Sequence, residues 1–143
     1  MNKLISEDEL KDLFTKGYGD KSPTREEWAK YYEEDVIFID PTQEKSGLVA
    51  YIEAQNKLIK RCDDIFLKTH SIAINNDVGF VEWTLGLKIM QKEFIYPGTT
   101  KLVFGENGRI KEHRDYFDFC GPTFSPVPIL GPFIRWLYSM FVN

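Results

Sequence analysis

Cysteine and histidine are scarce in this chain, with two of each in 143 residues. Cys62 and Cys120 are too few for a disulfide framework. Neither the cysteines nor the histidines have the close spacing of a metal site. We therefore expect free thiols in a reducing, cytoplasmic setting, no metal and no cofactor. Basic charge is also short. Eighteen Lys and Arg stand against 22 Asp and Glu, for a net charge of −4. A surface that grips phosphates needs the opposite surplus, so nucleic acid is not expected as a partner. No apolar run follows Met1, which argues against a signal peptide. The apolar stretch near the C-terminus is too short and too interrupted to span a bilayer, so no membrane partner is expected. Repeats, linkers and low-complexity segments are missing too, which leaves one domain over 1–143.

Aromatic residues, by contrast, are plentiful. They make up 15% of the chain, with eleven Phe and seven Tyr, enough to give a core or cavity flat walls. Ser6 and Glu9 form one capping box, and Thr24 and Glu27 a second. The first helix carries Leu10, Leu13 and Phe14 on one face. The second is predicted to bury Trp28, Tyr31 and Tyr32, and to end at Glu33-Glu34-Asp35. A short strand, Val36 to Ile39, stops at Asp40-Pro41, because proline cannot donate to a ladder. A loop to Gly47 leads to a third helix with Leu48, Ile52, Gln55, Ile59 and Cys62 on one face. From Asp64 the apolar period changes to two. Strands are predicted over Ile65 to Ile74, Val78 to Met90 and Thr99 to Phe104, the last opened by Pro97-Gly98. The tail, 122–143, is rich in proline and apolar residues. Pro132 suits the first turn of a short helix there. That helix is apolar almost all round, so we expect it to pack on its own domain or on a second copy, giving a homodimer.

The most informative stretch runs from Asn107-Gly108, a strong turn signal, through Ile110 to Asp118. As a strand it sets His113, Asp115 and Phe117 on one face, and Ile110, Glu112, Arg114 and Tyr116 on the other. Ionisable groups among large aromatics mark a place where charge enters the interior.

The chain resembles the nuclear transport factor 2-like superfamily, and within it the SnoaL-like branch. The resemblance rests on the element order, on Tyr31 to Pro41, on Glu82-Trp83, and above all on His113-Arg114-Asp115-Tyr116-Phe117-Asp118. The segments Pro128 to Pro132 and Arg135 to Leu137 resemble a bacterial subgroup. The resemblance implies an α+β cone, with helices packed on a strongly curved antiparallel sheet around an apolar pocket. It also implies that Asp40 falls where ketosteroid isomerases carry their proton-shuttling aspartate. Asp115 falls where limonene epoxide hydrolase carries a catalytic aspartate. Phe14 and Thr100 replace the isomerase's oxyanion donors, while Trp83, Leu85 and Phe38 replace epoxide-hydrolase groups. The sequence therefore holds one piece of each site.

On this basis the pocket walls are Phe14, Phe38, Trp83, Leu85, Thr100, Leu102, Phe104 and Phe117. They suit a small apolar ligand. Asp40, Asp115 and His113 are the candidate catalytic groups, for isomerase- or hydrolase-type acid/base chemistry with a desolvated carboxylate. An inactive Asp40→Asn protein would follow. The electrophile-activating donor has only Tyr116, Tyr96 and Thr100 as candidates. The alternatives are a turn-forming Asp40, a structural polar cluster at Asp115, and an Asp118 ion pair with Arg114 or Arg109. The protein would then be a non-catalytic binding or dimerisation module.

Overall fold

A computed structural model describes residues 5–16 and 23–142. The loop expected between the first two helices therefore lies mostly outside the described residues. Helix α1 (Glu7–Lys16) starts at its capping box: Ser6 N donates to Glu9 Oε2 at 2.8 Å and Glu9 N to Ser6 Oγ at 3.2 Å. Helix α2 (Arg25–Ala29) starts at the second box, with Thr24 as N-cap.

The remaining order is β1 (Tyr32–Asp40), β2 (Gln43–Ser46), α3 (Leu48–Arg61), β3 (Asp64–Asn75), β4 (Val78–Ile89), β5 (Lys92–Phe104), β6 (Ile110–Phe117), α4 (Cys120–Phe124) and α5 (Leu130–Val142). The six strands form one sheet in the order β2-β1-β6-β5-β4-β3. The fold is α+β: helices cover one face of a curved sheet, and the apolar inward faces meet between the layers. Leu10, Val36, Leu48, Val81, Leu102 and Ile110 are fully or almost fully buried there. Each aliphatic side chain so buried stabilises the fold by about 1.5–3 kcal/mol.

Several expectations need correction. The sheet is mixed, because β1 runs parallel to β6. That pairing also draws Tyr32 out of the predicted second helix. Ile110 N donates to Tyr31 O at 2.7 Å, and Tyr32 pairs with Ile110, so the strand begins four residues before Val36. The segment before Gly47 is a strand, β2, in a tight hairpin with β1. Strand β5 starts at Lys92, well before Pro97. Pro97 is tolerated because β6 pairs with β5 only from Gly98 onward, so the stretch before it has one open edge. Ile110 is buried instead of facing out with Glu112. The register skips Lys111 between the pairs Val103–Glu112 and Phe104–Ile110, and that bulge turns Ile110 inward.

The turn at Asn107-Gly108 forms as expected. Gly108 takes a left-handed φ of 78°, and its N–H donates to Gly105 O at 2.9 Å. The tail folds as a helical hairpin. Helix α5 lies against α4 and leaves Phe133, Trp136 and Met140 half or more exposed. The Asp118 ion pair does not form: Asp118 Oδ1 accepts from Gly121 N at 3.0 Å and Tyr138 Oη at 3.3 Å, while Arg114 pairs with Glu112. Among the described residues no helix is long and apolar enough to cross a membrane.

Candidate functional site

The inward face of the sheet opens into a cavity of about 560 Å³, a size that encloses a drug-sized molecule. Strand β6 supplies its chemistry. Alternation turns His113, Asp115 and Phe117 inward as expected, and all three line the cavity. Phe14 comes from α1, Phe38 and Asp40 from β1, Trp83 and Leu85 from β4, and Tyr96 and Thr100 from β5. Leu102 and Phe104, expected on the walls, do not reach the cavity. They continue the inward face of β5 into the close-packed core, where they are 0% and 3% exposed.

His113 is the centre of an aromatic cage. Its ring centroid lies 5.8 Å from Phe14, 5.9 Å from Tyr32, 5.0 Å from Phe38 and 5.4 Å from Tyr51. The side chain is 4% exposed, and both ring nitrogens are used. Nδ1 is 2.9 Å from Tyr32 Oη, and Nε2 is 2.9 Å from Asp115 Oδ1. A buried imidazole with both nitrogens bonded is fixed in position.

The hydrogen-bond directions follow from chemistry. With Asp115 ionised and the imidazole neutral, His113 Nε2–H donates to Asp115 and Nδ1 accepts from Tyr32 Oη. Tyr32 Oη is in turn hydrogen-bonded to Tyr51, whose oxygen accepts from Gln55 Nε2 at 2.9 Å. A second line enters from the other side. Trp83 Nε1 donates to Thr100 Oγ1 at 2.8 Å, and Thr100 Oγ1 donates to Asp115 Oδ1 at 2.5 Å. Two chains of donors therefore converge on one oxygen of one carboxylate. Burial, and then the neighbouring Tyr32, push the Tyr51 phenol well above its ordinary 10.0, which keeps it neutral.

The other oxygen of Asp115 is different. Oδ2 takes part in no hydrogen bond. Among the described residues no buried side-chain N or O lacks a partner, so Oδ2 is open to the cavity. The Asp115 side chain is 15% exposed, enough for a ligand to reach it.

Asp40 also lines the cavity, but both its oxygens are occupied. Oδ1 accepts from Thr42 N at 2.7 Å, Thr42 Oγ1 at 2.7 Å and Gln43 N at 3.0 Å; Oδ2 accepts from Gln43 Nε2 at 3.2 Å. This is an Asx turn that closes the β1–β2 hairpin.

Of the expected donors, Tyr116 points out of the sheet at 52% exposure. Tyr96 bonds Thr123 at 2.7 Å, and Thr100 is committed to Asp115. The sequence reading missed Tyr51 and assigned Tyr32 only to a helix stripe. Tyr51 stands three residues after Leu48, on the same helical face, and that spacing could have identified it. Among the described residues no group of three or more His, Cys, Asp or Glu is placed to hold a metal ion.

Residues 13–113 match the family model of the SnoaL-like domain. No curated protein matches the chain. Solved structures share its fold. One is a protein from Jannaschia sp. CCS1 provisionally assigned as a SnoaL-like polyketide cyclase. It has 17% identity and a TM-score of 0.63, with 74% of this chain and 80% of that one covered. Another, from Catenulispora acidiphila, has a ketosteroid isomerase-like fold and was crystallised with trimethylamine. It has 13% identity and a TM-score of 0.66, with 78% and 86% covered. A third, AclR from Streptomyces galilaeus, is provisionally assigned as a hydroxylase. It has 18% identity and a TM-score of 0.56, with 71% and 70% covered. At these identities the likeness is one of fold. A model match over most of the chain, on a cone of helices and curved sheet, makes this protein a member of the SnoaL-like domain family.

Proposed function

We propose that this protein binds a small, largely apolar molecule in its cone and moves a proton on it, with Asp115 as the proton carrier. The observation that carries this is the asymmetry of that carboxylate. Oδ1 is held by Thr100 and His113, which fixes the group, and Oδ2 is left free inside an aromatic cavity. A base must be within hydrogen-bond reach of the proton it takes, and Oδ2 meets that need without breaking any bond of the fold. His113 acts as a positioning residue. It holds Asp115 through Nε2, and Tyr32 holds it through Nδ1. Asp40 braces the rim of the cavity through its turn. The chemistry this arrangement suits is proton transfer next to a carbonyl, the isomerase-type reaction.

A second reading draws on a specific observation. Trp83 Nε1–H, Thr100 Oγ1–H and Tyr32 Oη–H are all spent within the two donor lines, which leaves none of them to polarise a substrate carbonyl. That favours a binding module in which Asp115 only orients the ligand. Deuterium uptake from D2O into an enolisable aromatic ketone such as 2-tetralone, followed by NMR, separates the two. The enzyme reading expects uptake above the buffer rate that falls by about 10²-fold or more in Asp115→Asn. Equal rates with wild type, Asp115→Asn and buffer would leave the binding reading.

A further inference from the structure

The charged residues that line the cavity are not spread evenly. The interior is aromatic and aliphatic, with Phe14, Phe38, Trp83, Leu85 and Phe117 around the Asp115 carboxylate. Three cations, Lys45, Lys57 and Arg61, lie on the lining where it is exposed. Lys57 and Arg61 are one turn apart on α3, and α3 packs beside β2, which carries Lys45. None of the three is in an ion pair. The carboxylates that could neutralise them are few. Asp40 gives both oxygens to its turn, and Asp115 is held deeper by Thr100 and His113. Glu53 is the one exposed carboxylate of the lining that makes no ion pair, four residues from Lys57. At the mouth Lys45, Lys57 and Arg61 stand against Asp40 and Glu53, three cations to two carboxylates, on a chain whose net charge is −4. Ala50 and Ala54 give the α3 side of the lining small side chains.

From this we infer that the cavity takes an amphipathic anion: a flat apolar body among the aromatic side chains, and one carboxylate, sulfate or phosphate-type group at the mouth between Lys45, Lys57 and Arg61. The inference rests on the reading of the cavity as a ligand site but not on catalysis. An apolar body alone would leave three unpaired cations at the entrance, while an anionic end group would pair with them as the body becomes buried. It also fixes the direction of entry. The charged end stays at the exposed edge, and the apolar end, with any acidic C–H, reaches Asp115. Exposed pairs of this kind are worth about a two- to fivefold change in affinity each.

Two dyes that share one aromatic body test this on the full chain. Anilinonaphthalene sulfonate carries the anion, and N-phenylnaphthylamine lacks it. Both can also adsorb to the exposed apolar surface of α5, so cavity binding is the component lost in Ala54→Trp or Ala50→Trp, either of which blocks the entrance. In that component we expect the sulfonate to bind about tenfold tighter or more. Lys45→Glu/Lys57→Glu/Arg61→Glu, three exposed changes, should remove that advantage and leave the neutral dye unaffected. Salt at about 0.5 M should shrink it in wild type. Equal or tighter binding of the neutral dye would overturn the inference. So would charge reversals that weaken both dyes alike, or the lack of any component that the tryptophan variants remove. The outcomes for the two proposals stay distinct. Charge-dependent binding without proton exchange would sink the enzyme reading alone. Exchange with charge-independent binding would sink this inference alone.

Discussion

Two aspartates line one cavity, and they are not equivalent. Asp40 ends β1 and Asp115 lies on β6, its parallel neighbour, where Ile39 pairs with Arg114 one residue before each of them. Asp40 is satisfied locally, by the backbone and side chains of Thr42 and Gln43. Asp115 is held by Thr100 across the strand pair on β5 and by His113, two residues back on β6, which Tyr32 in turn holds from β1. The local arrangement uses both oxygens and makes a turn. The arrangement at Asp115, which reaches across the sheet, uses a single oxygen and leaves the other to a ligand. A carboxylate in a cavity is therefore a candidate for chemistry only once its lone pairs have been accounted for.

The comparison can be broken from either side. The largest effect is expected from Asp115→Asn, with the loss of exchange described above. Next comes Gly98→Val. Trp83 lies directly over Gly98, its cross-strand pair, and an added Cβ would come within 2.5 Å of the indole ring. The indole must move, and its bond to Thr100 goes with it. We expect a loss of about 3 kcal/mol in urea unfolding, together with reduced exchange. Tyr32→Phe removes the donor to buried His113 Nδ1 and should cost about 2 kcal/mol by the same measurement, because the nitrogen is left without a partner. Asp40→Asn weakens only the turn. About 1 kcal/mol is expected, with exchange little changed.

The smallest effect concerns pH. The buried Tyr51 phenol is held above its ordinary 10.0, so below that pH both the folded and unfolded chains keep its proton. Above it the unfolded chain releases the proton while the folded chain does not, and stability falls as pH rises. Tyr51→Phe should flatten that decline, seen as a smaller drop in the urea midpoint between about pH 9 and pH 11.

Much of this was legible in the sequence. Both capping boxes, the Asn107-Gly108 turn and the inward set of His113, Asp115 and Phe117 depend on neighbours close in the chain, and such signals are local. What was not legible depended on pairing between distant segments. Tyr32 reads as helical by its spacing from Trp28, but parallel pairing with Ile110 makes it a strand residue, and only there can it reach His113. The bulge at Lys111 reverses Ile110 without any glycine to announce it. The Asp40-Pro41 pair correctly marks the end of a strand. Yet the same two residues cannot tell whether the carboxylate faces a substrate or the amides of Thr42 and Gln43.

The most direct test of the central claim sets the two aspartates against each other. Deuterium uptake into the same ketone is measured with Asp115→Asn and Asp40→Asn at equal concentrations of folded protein. The account predicts that Asp115→Asn loses about 10²-fold or more while Asp40→Asn stays within about threefold of wild type. An inactive Asp40→Asn beside an active Asp115→Asn would contradict it.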